Sequence, residues 1–137
     1  MIAALFPKHQ SHSSCFIQLQ AAQSAQPGQI QGYLSTHSLA ELYSVMTRMP
    51  IQPRMSPQEA NTLLDRCLQY LDAVPLEVAD YKAAIAQMTA LSLPGGGIFD
   101  ALIAQAALKV SADRLLTLNP GHFTRLDPAI ARITQVP

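Results

Sequence analysis

The sequence predicts an α/β fold, a three-layer α/β/α sandwich built on a parallel sheet. Two observations carry this reading: short apolar, strand-like runs alternate with longer segments of helical period, and Pro- and Gly-rich turns separate the two kinds. The chain has 137 residues, 49% of them apolar, which suits one ordinary domain over residues 1–137 with its own core.

From Ser11 to Gln26 the pattern is helical, with Cys15, Phe16, Leu19 and Ala22 on one face, and Pro27-Gly28 stops it. Ile30 to Ser35 reads as a short strand, with Ile30, Gly32 and Leu34 on one side. A helix follows from Ser38 to about Met49, turning Leu39, Leu42, Val45, Met46 and Met49 inward, and Pro50 and Pro53 mark the loop after it. The clearest helix start is Ser56-Pro57-Gln58-Glu59: an N-cap serine, a proline at the first helical position and a glutamate three residues after the cap. Ala60, Leu63, Leu64, Cys67, Leu68 and Leu71 then repeat at helix spacing. Ala73 to Leu76 reads as a brief strand. Val78, Tyr81, Ile85, Met88 and Leu91 mark another amphipathic helix. Pro94-Gly95-Gly96-Gly97 breaks the chain, and Ile98 to Lys109 is Ala-rich and helix-favouring, with small residues at Ala101, Ala104, Ala106 and Ala107 suited to close packing on a sheet. Arg114 to Leu118 reads as a buried strand, Asn119-Pro120-Gly121 as a turn, and Ile130 to Val136 as a last strand.

Nine Lys and Arg balance nine Asp and Glu with no basic run, which argues against strong, indiscriminate nucleic-acid binding but leaves room for a small RNA-facing patch. No apolar stretch is long enough to cross a bilayer, and Met1 to Phe6 is too short for a secretory signal. The expectation is a cytoplasmic protein with no membrane partner. Cys15 and Cys67 read as buried free thiols. His9, His12, His37 and His122 do not make a zinc pattern. No Gly-x-Ser-x-Gly elbow is present, and the triple glycine lacks the Lys-Ser/Thr of a phosphate loop. It reads as a turn giving backbone access beside Asp100.

Open parallel sheets gather functional groups at the carboxyl ends of their strands. That places three spots near one rim: the start of the Ser38 helix, the glycine turn before Ile98, and the turn after Leu118. Glu41 stands in a capping-box relation to Ser38, an ordinary structural role. Asp100 falls in a first helical turn, which the helix dipole favours, yet it sits among Ile98, Ala101, Leu102, Ile103 and Ala104, where a lone carboxylate wants a partner or a metal. Asn119 precedes a proline, as turn starters do. The remaining acids read as structural: Glu59 caps, Asp65 and Asp72 lie on a polar helix face, Glu77 and Asp80 open a helix, and Asp113 and Asp127 sit in loops.

Three segments together resemble the PIN-domain family, and specifically its VapC-type toxins. They are Tyr33-Leu34-Ser35-Thr36-His37-Ser38-Leu39-Ala40-Glu41-Leu42-Tyr43-Ser44-Val45-Met46-Thr47-Arg48, then Ile98-Phe99-Asp100-Ala101-Leu102-Ile103-Ala104, then Leu115-Leu116-Thr117-Leu118-Asn119-Pro120-Gly121-His122-Phe123. Their order and separation carry the resemblance, which runs from Met1 to about Leu126. It implies a parallel sheet between helices and a carboxylate cluster that holds Mg²⁺ or Mn²⁺ and cuts RNA. Glu41 and Asp100 match the acids of the family's second and third motifs, and so are the implied catalytic residues and metal ligands. Asn119 matches a position that is Asp or Asn. Hard cations prefer such oxygen donors, lower the pKa of an attacking water and neutralise phosphate charge. Ser35 or Thr36 would orient a water or a phosphate oxygen, and Arg48 would touch RNA. The implied partners are an RNA substrate, an antitoxin protein covering the groove, and a second copy in a homodimer.

The chain departs from that pattern at its start. The family opens with an apolar strand ending in Asp, whereas Met1 to His9 match the residues just after such a strand, and no Asp or Glu precedes Glu41. Two explanations stay open: an N-terminally truncated sequence whose complete form is the metal-dependent endoribonuclease, or a catalytically degenerate module that binds RNA or a protein partner without cleavage.

Overall fold

The computed structural model describes residues 1–26 and 29–137, so the Pro27-Gly28 stop lies outside them. In chain order the elements are α1 Ile2–Leu5, α2 His12–Ser24, β1 Gly32–Ser35, α3 Thr36–Arg48, α4 Pro57–Cys67, β2 Leu71–Val74, α5 Val78–Ala90, α6 Gly97–Lys109, β3 Leu115–Leu116, α7 Pro120–Thr124, α8 Pro128–Ile133 and β4 Thr134–Gln135. Helices and strands alternate, so the α/β class holds. The strands form two-stranded sheets, β1 with β2 and β3 with β4. The second is parallel, in register Leu115 to Thr134 and Leu116 to Gln135. Among the described residues no helix is long and apolar enough to cross a membrane.

The chain divides into two units, one of Met1–Leu34 with Ser38–Ala73, the other of Ser35–His37 with Val74–Pro137. In the first, α3 and α4 bury Leu42, Met46, Ala60 and Leu64 against each other, with Ile2, Leu5 and Leu34 packed on them. Ala3, Ala4 and Cys15 form a smaller cluster with Leu19. Cys15 and Cys67 are free and buried, as expected. The Tyr70 hydroxyl donates to Cys67 Sγ at 3.6 Å. Burial, then that bond, pushes the Tyr70 phenol up to about 12. Helix α4 starts as the sequence predicts. The Glu59 amide donates to Ser56 Oγ at 3.2 Å, and the Ser56 amide donates to Glu59 Oε2 at 2.7 Å.

In the second unit, α5 and α6 pack through Ala84, Met88, Ala101, Leu102 and Ala104, and Leu115, Phe123, Leu126 and Ile130 complete the core. The small residues of α6, expected to pack on a sheet, lie instead in a core shared mainly with helices α5, α7 and α8. A salt bridge of 2.8 Å from Lys109 to Asp80 ties the end of α6 to the start of α5, and the same ammonium donates to the Pro75 carbonyl.

Several expectations need correction. Helix α3 begins at Thr36, directly from β1, so Ser38 lies inside it and is not an N-cap. In α2, Phe16 is 38% exposed and stacks on His12 instead of entering the core. Ile30 is exposed and precedes β1. Strand β2 runs from Leu71 to Val74, not from Ala73 to Leu76: Pro75, with no N–H to extend a ladder, ends it, and Leu71 belongs to the strand and not to the helix whose period it continues. Helix α5 buries Ala84 and Met88, while Val78, Tyr81, Ile85 and Leu91 remain exposed. Strand β3 is two residues long and only Leu115 of it is buried. The last strand shrinks to Thr134–Gln135, because Asp127 caps α8 by accepting from the Ala129 amide, with Pro128 at the first helical position.

Candidate functional site

Asp100 stands in the first turn of α6, where the apolar face formed by Ala101, Leu102 and Ala104 anchors the helix to the core. The turn before it needs Gly95, whose φ is +71°. Gly97 faces the flexible end of Met88: a Cβ there would displace Met88 Cε, 2.9 Å away, and would lie in ordinary contact with Arg125 Nη2 at 3.6 Å. The glycine turn thus delivers Asp100 and also admits a guanidinium one helical turn away.

The carboxylate has a partner that sequence reasoning passed over. His122 Nδ1 lies 2.9 Å from Asp100 Oδ2, and the two side chains are 53% and 24% exposed. An ionised carboxylate only accepts, so Nδ1 carries the hydrogen and donates. The bond favours one arrangement of the carboxylate and the ring. Asn119 is the N-cap position of α7, the helix that carries His122. Its amide donates to Thr117 Oγ1 at 3.1 Å, so Thr117 shapes the turn that presents both residues. The partnership comes from tertiary structure: β3 and the turn after it return the chain to α6, and nothing in the local pattern around His122 signals it.

A second pairing lies beside the first. The rings of His37 and Phe99 stack at 5.0 Å with 15° between their planes. Next to His37, the Thr36 hydroxyl accepts from the Leu76 amide at 3.3 Å, and Ser35 is buried and engaged by neighbours. Glu41 belongs to the other unit. It is an exposed residue of the second turn of α3, and Arg48 at the end of that helix donates through Nε to the Ser44 carbonyl at 3.1 Å. Within the second unit the fold therefore brings Asp100 to His122 and Phe99 to His37.

Asp100 is a hard oxygen donor of the type Mg²⁺ or Mn²⁺ takes. Among the described residues, however, no group of three or more His, Cys, Asp or Glu side chains is placed to hold a metal ion. The donor set does not fit a complete metal cage. The surroundings are also open. An apolar groove lined by Ile85, Met88, Leu93, Pro94 and Ile98 runs along α5 and does not include Asp100.

The family profile described as "PIN domain" matches residues 1–127. The chain is also 32% identical over 80 residues to Ribonuclease VapC27 of Mycobacterium tuberculosis (strain ATCC 25618 / H37Rv), a match covering 58% of this chain and 57% of that protein.

Proposed function

This chain belongs to the PIN-domain family, and from that premise we propose that it is an endoribonuclease, the toxin of a type II toxin–antitoxin pair. The observation that carries the reading is Asp100: a partly buried carboxylate at the family's third acidic motif, hydrogen-bonded to His122. Glu41 is the second acid we assign to catalysis and to metal binding, and Asn119 supports the site from the cap of α7. Ser35, Thr36 and Arg48 are the further residues assigned to substrate contact. The cofactor proposed is Mg²⁺ or Mn²⁺, the cellular setting the cytoplasm, and the partners RNA, an antitoxin and a second copy of the chain.

The test is cleavage of single-stranded RNA by purified protein, with Mg²⁺ or Mn²⁺ and with chelator, for the wild type and Asp100→Asn. The expected result is cation-dependent cleavage that Asp100→Asn removes. Cleavage undiminished in Asp100→Asn would overturn the assignment. A second reading, a PIN domain that binds RNA or a protein without cutting, is favoured by one observation: the described residues lack a complete metal-donor cluster. It predicts RNA binding with no cleavage at any cation concentration.

A further inference from the structure

We propose that Phe99 and His37 form a stacking platform for an unpaired nucleobase of single-stranded RNA, next to the phosphate that Asp100 addresses. The choice of RNA rests on the nuclease reading above. The platform itself rests on four observations within the second unit. The rings of His37 and Phe99 are stacked at 5.0 Å and 15°, so each covers one face of the other and holds it flat. Phe99 stays 44% exposed, although the same helix buries Ala101, Leu102 and Ala104, so the ring is held at the surface and not drawn into the core. Asp100 is the next residue, and its carboxylate is hydrogen-bonded to His122. The Arg125 guanidinium lies against Gly97, one helical turn before Asp100, and brings positive charge to a place where a phosphate would otherwise meet only a carboxylate.

A single exposed apolar side chain needs no explanation. An exposed ring stacked on a second ring, beside a hydrogen-bonded acid and within a helical turn of a guanidinium, matches what single-stranded RNA offers: a flat base and an anionic backbone. Every base has a π face, so the platform would select unpaired over paired RNA without choosing a sequence. A duplex keeps its bases stacked on one another and has none to give.

The chain contains no tryptophan, so Phe99→Trp installs the sole indole exactly at the platform. The probe is a short oligoadenylate, with the same strand in a duplex as control and chelator present to suppress cleavage. The expected result is saturable quenching of the indole by the single strand and none by the duplex. Phe99→Ala and Phe99→Leu should each weaken oligoadenylate binding by roughly tenfold, the leucine separating loss of the π face from loss of apolar bulk. His37→Ala should weaken it less. Unquenched fluorescence at saturating oligoadenylate, or unchanged affinity in both Phe99 variants, would overturn the platform and leave a protein side chain as the competing occupant. Saturable quenching without cleavage under any condition would keep the platform and sink the nuclease reading; cleavage with Phe99→Ala at wild-type affinity would do the reverse.

Discussion

Glu41 and Asp100 look alike in the sequence, each an acid a few residues into a helix that leaves a strand or turn. The fold separates them. Asp100 sits in the first turn of α6, half-buried, with one oxygen on the His122 ring. Glu41 sits in the second turn of α3, exposed, on a helix that begins at Thr36 and therefore does not use Ser38 as its cap. Glu59 makes a third case, because Ser56 and Glu59 form reciprocal capping bonds at the start of α4, whereas Ser38 lies inside α3. One spacing of serine and acid thus covers a true cap and a mid-helix acid. The deciding fact is where the backbone turns helical, and for α3 that is set by the strand before it.

The comparison can be broken first at the acids themselves. Asp100→Asn should lower RNA cleavage by about a hundredfold or more, read as initial rates on a labelled strand. Glu41→Gln should cause a comparable loss while leaving stability to urea within about 0.5 kcal/mol, because the side chain is exposed. Full activity in Glu41→Gln would leave α6 as the sole source of a working acid. His122→Ala should cost roughly tenfold in rate by freeing the Asp100 rotamer, and His122→Asn, which restores a donor, should recover part of it. An equal loss in both variants would mean that the imidazole matters for more than positioning.

Smaller effects sharpen the contrast between the true cap and the mid-helix acid. Ser56→Ala should destabilise the protein by about 1 kcal/mol in urea unfolding. The smallest expected effect is a pH dependence. Bonds from the Ser56 amide and hydroxyl hold the Glu59 carboxyl below its usual range. A depressed folded pKa adds stability above the unfolded value of 4.5, and that stability fades as pH falls through the lower, folded value. Glu59→Gln, which removes the titrating carboxyl, should therefore flatten the acid limb of the stability profile, and an unchanged limb would assign it to other carboxylates.

What was legible in the sequence follows from the range of the forces involved. The start of α4 was readable because cap, proline and glutamate act within four residues. Helix α6 was readable because alanine-rich composition and a glycine break are local. The buried face of α5 was read only in part: Met88 packs as its place in the helical period expects, but Ala84 packs beside it while Val78, Tyr81 and Ile85 remain exposed. Bulk apolar character points to the wrong side when a helix must approach its neighbour closely. The end of the chain misled for a different reason: Asp127-Pro128 is a helix start that competes with the apolar run after it, and the cap wins for six residues. At the site, Asp100 was singled out by its apolar setting, but His122 lies 22 residues away and meets it only after β3 brings the chain back. The Phe99–His37 pair is longer in range still, and no periodicity announces it.

Gly97 has a bearing on how this protein can change over time. Met88 and Arg125 converge on the space where a side chain would stand. The nearer of the two is the flexible end of Met88, which a methyl group at position 97 would displace. Drift at position 97 would therefore act through how Met88 repacks beneath the helix that bears Phe99 and Asp100, while drift at position 99 could retune base contact and leave the acid in place.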